Sequence, residues 1–297
     1  MSRIARFIRK PAQEKRITIR FFIRQALSKL PFAPNRVRFT IDPGKELCFW
    51  WSYISHVNHP DRRFSAYWGD DRGELRFLWQ FLEPGMVFFD VGAYHGFFSL
   101  LAARRLSSRG QVVAFEPSPR ERRRFKLHVR MNRLREVRLE PYAVSARSGT
   151  MKFFTVAGGF DSMNSLKPPE VQVPVHETTA EAVSLDEYLA RRTYVRIDIM
   201  KIDVEGGERE AFRGARRTLR SMRPIIICEV LDWVTRPWGY PAFEIINSLR
   251  EEDYVWFDFH DDGTISPHEI RGEYPEIRNY LAIPREKLPL VSRWRRE

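Results

Sequence analysis

The sequence predicts an α/β fold built on a mostly parallel sheet with helices on both faces. Three observations predict it. From residue 86 onward short apolar runs alternate with helical patterns. The runs are continuous rather than alternating, as in strands buried on both faces. Three of them end on or beside an acid, namely Asp90, Glu116 and Asp203. Strands separated by helices are βαβ units, and such units build parallel sheets.

The elements follow in order. Leu75, Leu78, Trp79 and Leu82 share one face of a helix that Pro84 and Gly85 terminate. MVFFDV, residues 86–91, is a short buried-type strand, FFSLLAARRL a helix, and QVVAFEP the next strand. RERRRFKLHVRMNRL fits periods 2 and 3.6 equally, so its pattern leaves helix and strand open. VRLEPYAVS and IDIMKIDVEG continue the strands. GEREAFRGARRTLRSM is one helix, with Phe212, Ala215, Leu219 and Met222 on a face opposite its arginines. RPIIICEV, YVWFDFHDDGTI and NYLAIP complete the strands.

The chain divides into a basic amphipathic extension (1–38), an aromatic-rich helical region that is a candidate substrate cap (39–82), the α/β domain (83–285) and a basic C-terminal tail (286–297). The net charge of +12 has the look of a nucleic-acid binder until it is mapped. Residues 1–38 hold eleven Lys or Arg and one acid, Glu14, so the remainder carries only +2. Ile4, Phe7 and Ile8, then Phe22, Ile23, Ala26, Leu27 and Leu30, stand at helical spacing among these cations. That pattern fits a helix on an anionic membrane surface, a solvated appendage of the body, or an Arg-rich targeting peptide. No apolar run reaches the roughly 18 residues that cross a bilayer. The two cysteines, Cys48 and Cys228, have no zinc or disulfide spacing. The expected place is the cytoplasm, peripheral at the inner membrane surface if the extension binds lipid.

In parallel sheets ligands bind at the carboxyl ends of the strands. The loop Asp90-Val91-Gly92-Ala93-Tyr94-His95-Gly96 sits at such an end but is no dinucleotide fingerprint, because Tyr94 occupies the position where glycine admits a pyrophosphate. A nucleoside without phosphates suits it better. Glu116 ends the next strand, where a carboxylate accepts both ribose hydroxyls.

These residues, with the blocks EPGMVFFDVGAYHGFFSLLA, VVAFEPSP, HVRMN, AVSARSGTMKF and MKIDVEGGEREAFRGARRTLRSMRPIIICEV, resemble the FkbM family of class I S-adenosylmethionine-dependent methyltransferases over about residues 82–260. The resemblance implies a Rossmann-like, mostly parallel seven-stranded sheet closed by an antiparallel hairpin, and makes residues 119–134 a helix. It implies that Asp90, Gly92, Ala93, Tyr94 and Gly96 form the loop for S-adenosyl-L-methionine. Glu116 would hold the ribose, and Ser118, Ala143 and Val144 would lie near the adenine. The family usually has Asn where this chain has Tyr94, and commonly an apolar residue at His95. The acceptors it implies are a hydroxyl or carboxyl of a small molecule, sugar or glycan.

Methyl transfer from a sulfonium is an in-line displacement that demands alignment and a base for the acceptor's proton. The candidates, in order, are Asp203, Glu205 and His95, with His176 and Glu229 behind them. Acids near a helix start are also favoured by its dipole, which alone accounts for some of these. The run TVAGGFDSMNSLKPPE, residues 155–170, is either an acceptor lid or a connector. No ligand cluster of convincing spacing is present, so no metal is expected. A nucleic-acid methyltransferase is disfavoured by the nearly neutral body and the absence of N-P-P-Y or D-P-P-Y. An NAD-dependent oxidoreductase is disfavoured by Tyr94. A membrane-surface protein without catalysis would rest on residues 1–38 alone.

Overall fold

The computed structural model describes residues 36–42, 45–50, 72–157, 161–194 and 196–296. The basic helical pattern of residues 1–35, and Trp51, Tyr67 and Trp68 of the candidate cap, lie outside the described residues. The chain divides into two compact units, residues 1–69 and 70–297.

In the first unit, β1 (Arg36–Asp42) pairs antiparallel with β2 (Lys45–Trp50). Strands therefore stand where the reading of 39–82 expects helix, and β1 crosses the expected boundary at residue 38. The reason is visible in the pattern. Val37 and Phe39 alternate with polar residues, and the register sets them opposite Phe49 and Leu47.

The second unit opens with α1 (Arg72–Phe81), so the unit begins before the expected boundary at residue 83. Leu75, Leu78 and Leu82 are buried as expected, together with Phe77. The Phe77 ring stacks on Phe81 at 5.4 Å and meets Phe259 and Trp294 at 5.6 Å. The C-terminal segment is thus packed rather than a free tail, for Trp294 Nε1 donates to Gln80 Oε1 at 2.8 Å.

The remaining elements are β3 (Val87–Val91), α2 (Phe97–Leu106), β4 (Gln111–Phe115), α3 (Pro119–Asn132) and β5 (Val137–Glu140). Then come β6 (Ala143–Val144), β7 (Gly149–Val156), β8 (Val175–Val183), α4 (Leu185–Ala190) and β9 (Ile199–Ile202). They are followed by α5 (Glu208–Arg213), α6 (Arg216–Ser221), β10 (Ile225–Glu229), α7 (Asp232–Thr235) and α8 (Phe243–Arg250). The last strands are β11 (Tyr254–Phe259), β12 (Ile265–Pro267) and β13 (Asn279–Pro284).

The main sheet has the order β12-β11-β13-β10-β9-β3-β4-β5. From β5 to β10 all pairings are parallel, and β13 runs antiparallel between β10 and β11. The expected α/β class, parallel sheet and antiparallel closure are all present. The strand count is eight rather than seven, because YVWFDFHDDGTI breaks into β11 and β12 where Gly263 N–H donates back to His260 O at 2.8 Å. After β3 the chain adds β4 and β5 on one side, then β9 and β10 on the other. This reversal of winding opens a crevice at the carboxyl ends of β3 and β9.

Three further local expectations are settled by the structure. α3 is a helix, started by Ser118, whose hydroxyl accepts Glu121 N–H, with Pro119 at the first helical position. The helix expected over 207–222 is two, α5 and α6, because the Asp186 carboxylate from α4 accepts Arg217 N–H and Thr218 N–H at 2.9 Å and so caps a new helix start. VRLEPYAVS ends β5 before Pro141, and its second half becomes β6 of a separate sheet, order β6-β8-β7. Ala143 and Val144 therefore belong to that second sheet rather than to the end of the third main strand. The core joins Phe89, Val113, Ile202 and Cys228 of the main sheet to Phe212, Leu219 and Ile246 of the helices.

Candidate active site at the strand ends

The loop after β3 is held against β4 by its backbone, with Gly92 N–H and Ala93 N–H both donating to Phe115 O at 3.1 and 2.9 Å. Gly92 has φ +85°, and a Cβ there would lie 1.8 Å from Asp203 O. Only glycine lets the loops after β3 and β9 approach this closely. Tyr94 takes the left-handed conformation, φ +49°, which turns its N–H toward Glu116 Oε2 at 2.9 Å. Ser118 N–H donates to Glu116 Oε1 at 2.7 Å. The Glu116 carboxylate is thus oriented by two backbone amides. Burial nonetheless pushes its carboxyl up to about 8, a rise that the Ser118 amide opposes, the nearby Glu121 reinforces, and the Tyr94 amide and Arg122 oppose.

Glu116 lines a cavity at the strand ends. Gly92 and Tyr94 line it from the β3 loop; Tyr142, Ala143, Val144 and Phe153 form an apolar wall. Asp203, Val204 and Glu205 line it from the loop after β9, beside Trp238. From the 155–170 run, Ser162, Asn164, Ser165 and Leu166 also face it. That run is tied down, since Asn164 Oδ1 accepts Val156 N–H at 2.9 Å and Ser165 Oγ donates to Glu205 O at 2.8 Å. It therefore forms part of the cavity wall.

Five expected site residues are not brought to the cavity lining. Asp90 is buried beneath it and accepts Ser99 Oγ at 2.5 Å. Burial raises its carboxyl to about 6, against the pull of Lys201 and of the Ser99 hydroxyl. Ala93 is buried and serves through its amide. Gly96 is packed under the Phe125 ring, which a Cβ would overlap at 2.3 Å. Ser118 is the cap of α3 and acts on Glu116 only through its amide. His95 is fully buried, its Nε2 2.5 Å from Glu121 Oε2 and its ring stacked 3.6 Å from that of Tyr94. Burial raises the Glu121 carboxyl, but the His95 hydrogen bond, with Arg124 and Arg120, outweighs it and holds the group below its ordinary range. His95 is therefore engaged under the loop and does not line the cavity. His176 is exposed on β8 and does not line the cavity either.

The acids after β9 form a tight group. Lys201 is nearly fully buried, and its Nζ stands 2.6 Å from Asp203 Oδ2 and 4.6 Å above the Phe98 ring. Glu205 has φ +54°, and burial together with Asp203 and Glu208 raises its carboxyl well above the ordinary range. Glu208 accepts Val204 N–H at 2.8 Å, and burial raises it to about 7. Glu229, at the end of β10, is raised well above its range by burial and by Asp203, Glu205 and Glu208. A lysine inside the otherwise apolar strand IMKI is the signal that could have found this group, because a buried ammonium requires a carboxylate. Tyr142, Phe153 and Trp238 carried no comparable signal; strands and turns distant in sequence deliver them.

The chain matches the model of the methyltransferase FkbM domain over residues 90–256, more than half of its length. It is 27% identical over 188 residues to the 2-O-methyltransferase NoeI of Sinorhizobium fredii (strain NBRC 101917 / NGR234), covering 58% of this chain and 74% of that protein. Among solved structures it is similar to the methyltransferase FkbM of Methylobacillus flagellatus KT, at 14% identity and a TM-score of 0.44, over 68% of this chain and less than half, 44%, of that one. SMU.1697c of Streptococcus mutans, solved in complex with SAH, matches at 10% identity and a TM-score of 0.39 over 70% of this chain and 93% of that one. At such scores the solved structures add nothing to the assignment, which the domain match makes alone. Because that match begins at Asp90 and runs through both loops of the strand-end crevice to β11, the chain belongs to the FkbM family of methyltransferases.

Proposed function

We propose that the protein is an S-adenosylmethionine-dependent O-methyltransferase acting on a hydroxyl, or a carboxyl, of a small molecule, sugar or glycan. The observation that carries this reading is the Glu116 carboxylate, held by two amides at the wall of a cavity that Asp203 and Glu205 also line. Glu116 suits the two ribose hydroxyls, and the wall of Tyr142, Val144 and Phe153 suits an adenine face. Tyr94 in the loop disfavours a dinucleotide. The name of the NoeI relative, a 2-O-methyltransferase, supports oxygen as the accepting atom.

When bound, the cofactor supplies a sulfonium methyl to the cavity. Asp203 and Glu205 orient the acceptor, and one of them takes the hydroxyl proton as the oxygen bonds to carbon. Its raised carboxyl makes Glu205, once ionised, a stronger base than an ordinary glutamate. A second cleft shares Glu205, Ser165 and Trp238 with the cavity and continues past Trp233, Pro237 and Lys167. We assign it as the acceptor's approach, since indole faces and a flanking polar rim suit a saccharide ring. Nucleic acid is not an expected partner, and contact of residues 1–38 with anionic membrane belongs to this proposal as well. Among the described residues no helix is long and apolar enough to cross a membrane.

Titration calorimetry with S-adenosylmethionine tests the reading. Wild type should bind one equivalent and Glu116→Ala should bind far more weakly; no binding by wild type, or equal binding by the variant, would refute it.

A further inference from the structure

Three carboxylates from three different elements meet beside the cavity. Asp203 follows β9, Glu208 opens α5 and Glu229 ends β10, and one oxygen from each lies within 4.8 Å of the others. Their sequence spacing conceals the group, which is why the sequence reading expects no metal. Glu208 is fully buried; one of its oxygens accepts Val204 N–H, and the other, Oε2, is buried with no hydrogen-bond partner. Glu229 Oε2 is also buried and has no partner. Two buried carboxylate oxygens without a hydrogen-bond partner, on residues of so close a group, are an unfinished site, since buried anions require hydrogen bonds, a countercharge or a metal. Lys201 supplies one positive charge, engaged by Asp203 Oδ2. With all three carboxylates ionised, that one ammonium would leave two negative charges for a cation to balance.

We propose that Asp203, Glu208 and Glu229 bind one hard divalent cation, of the Mg2+, Mn2+ and Ca2+ class. Carboxylate oxygens stand about 2.0–2.6 Å from such ions, so two ligands of one ion lie at most about 4–5 Å apart. The 4.8 Å spread of these oxygens satisfies that limit with little movement. A donor set made only of carboxylates selects hard cations over softer ones. Since Asp203 also lines the cavity, the ion stands at its wall, where an acceptor hydroxyl can reach it. The inference goes beyond the methyl-transfer reading, because the ion's binding needs neither cofactor nor acceptor.

The test uses the full chain, freed of metal by a chelator and titrated with Mn2+ while the electron paramagnetic resonance signal of the free ion is followed. One Mn2+ should bind per chain with a dissociation constant below about 1 mM, and Mg2+ or Ca2+ should displace it. Glu208→Gln and Glu229→Gln should each weaken binding at least about tenfold, while Glu210→Gln, which loses ion pairs with Arg209 and Arg213 outside the group, should bind as wild type does. Circular dichroism confirms that each variant is folded. In wild type, Mn2+ should broaden the amide resonances of residues 203–208 first, a readout that needs no variant. A free-ion signal undiminished by wild type up to about 5 mM, unchanged binding in both folded variants, or broadening centred elsewhere would overturn the proposal.

Discussion

The Tyr94 amide donates to Glu116 Oε2 at 2.9 Å, and this bond joins the turn after β3 to the end of β4. One residue thereby does two things that its type does not announce, since any left-handed residue at position 94 presents the same N–H. Asn adopts that conformation more readily than Tyr. Tyr94→Asn should keep the turn and the bond to Glu116, leaving cofactor affinity within about threefold of wild type. Calorimetry checks this, and a loss well beyond that would assign the phenol ring a role of its own in the cavity.

Removing the carboxylate has the larger effect. Hydrogen bonds to a charged group are worth about 1.5–3 kcal/mol, so Glu116→Ala should weaken cofactor binding by roughly 10- to 100-fold. Turnover at saturating cofactor should fall much less. A variant that kept its affinity and lost only turnover would place Glu116 elsewhere in the reaction.

The same carboxyl predicts a pH dependence. Its ordinary value is 4.5 and the ligand-free fold raises it to about 8. Between these values the folded state holds a proton that the unfolded chain has lost, so stability falls as pH rises from about 4.5 to about 8. Asp90 and Glu208, raised to about 6 and 7, add slopes of the same sign that end earlier. The difference between wild type and Glu116→Gln isolates the Glu116 share, and it should grow up to about pH 8 and then level. Cofactor affinity should run the opposite way, increasing toward pH 8, because only the carboxylate accepts both ribose hydroxyls. A flat difference in thermal melts across this range would contradict the assignment.

Gly92 is a steric requirement. Gly92→Ala puts a Cβ 1.8 Å from Asp203 O at φ +85°, which should cost on the order of 3 kcal/mol and lower the melting temperature by roughly 6–12 °C. Gly272→Ala, in the loop before β13, adds a Cβ that meets nothing within 4 Å. It serves as the control and should change stability by less than about 0.5 kcal/mol.

The base assignment separates cleanly by variant. Asp203→Asn or Glu205→Gln should lower kcat by about 10²- to 10⁴-fold with a small change in cofactor affinity, as loss of a positioned proton acceptor does. His95→Asn should instead lower stability by about 1–3 kcal/mol through its bond to Glu121, with the pH profile of turnover unchanged in shape. A shifted profile in His95→Asn, measured on an acceptor found by screening sugars, would restore it as a base.

Local pattern determined much of this protein. The apolar runs of β3, β4, β9 and β10 announced a parallel sheet, and acids at their ends announced where a ligand binds, because strand burial and helix placement follow directly from residue type and period. The K-I-D-V-E-G block marked the second loop of the site. Tertiary structure alone decided the rest. Asp186 cuts one expected helix into two by capping Arg217 and Thr218 from α4. His95 stands off the cavity lining because Glu121, a turn into α3, draws it beneath the loop. Trp238 and Glu229 reach the site only because β10 lies beside β9. These are contacts between residues tens of positions apart, and neither period nor propensity encodes which partner a side chain meets once the sheet has closed around it.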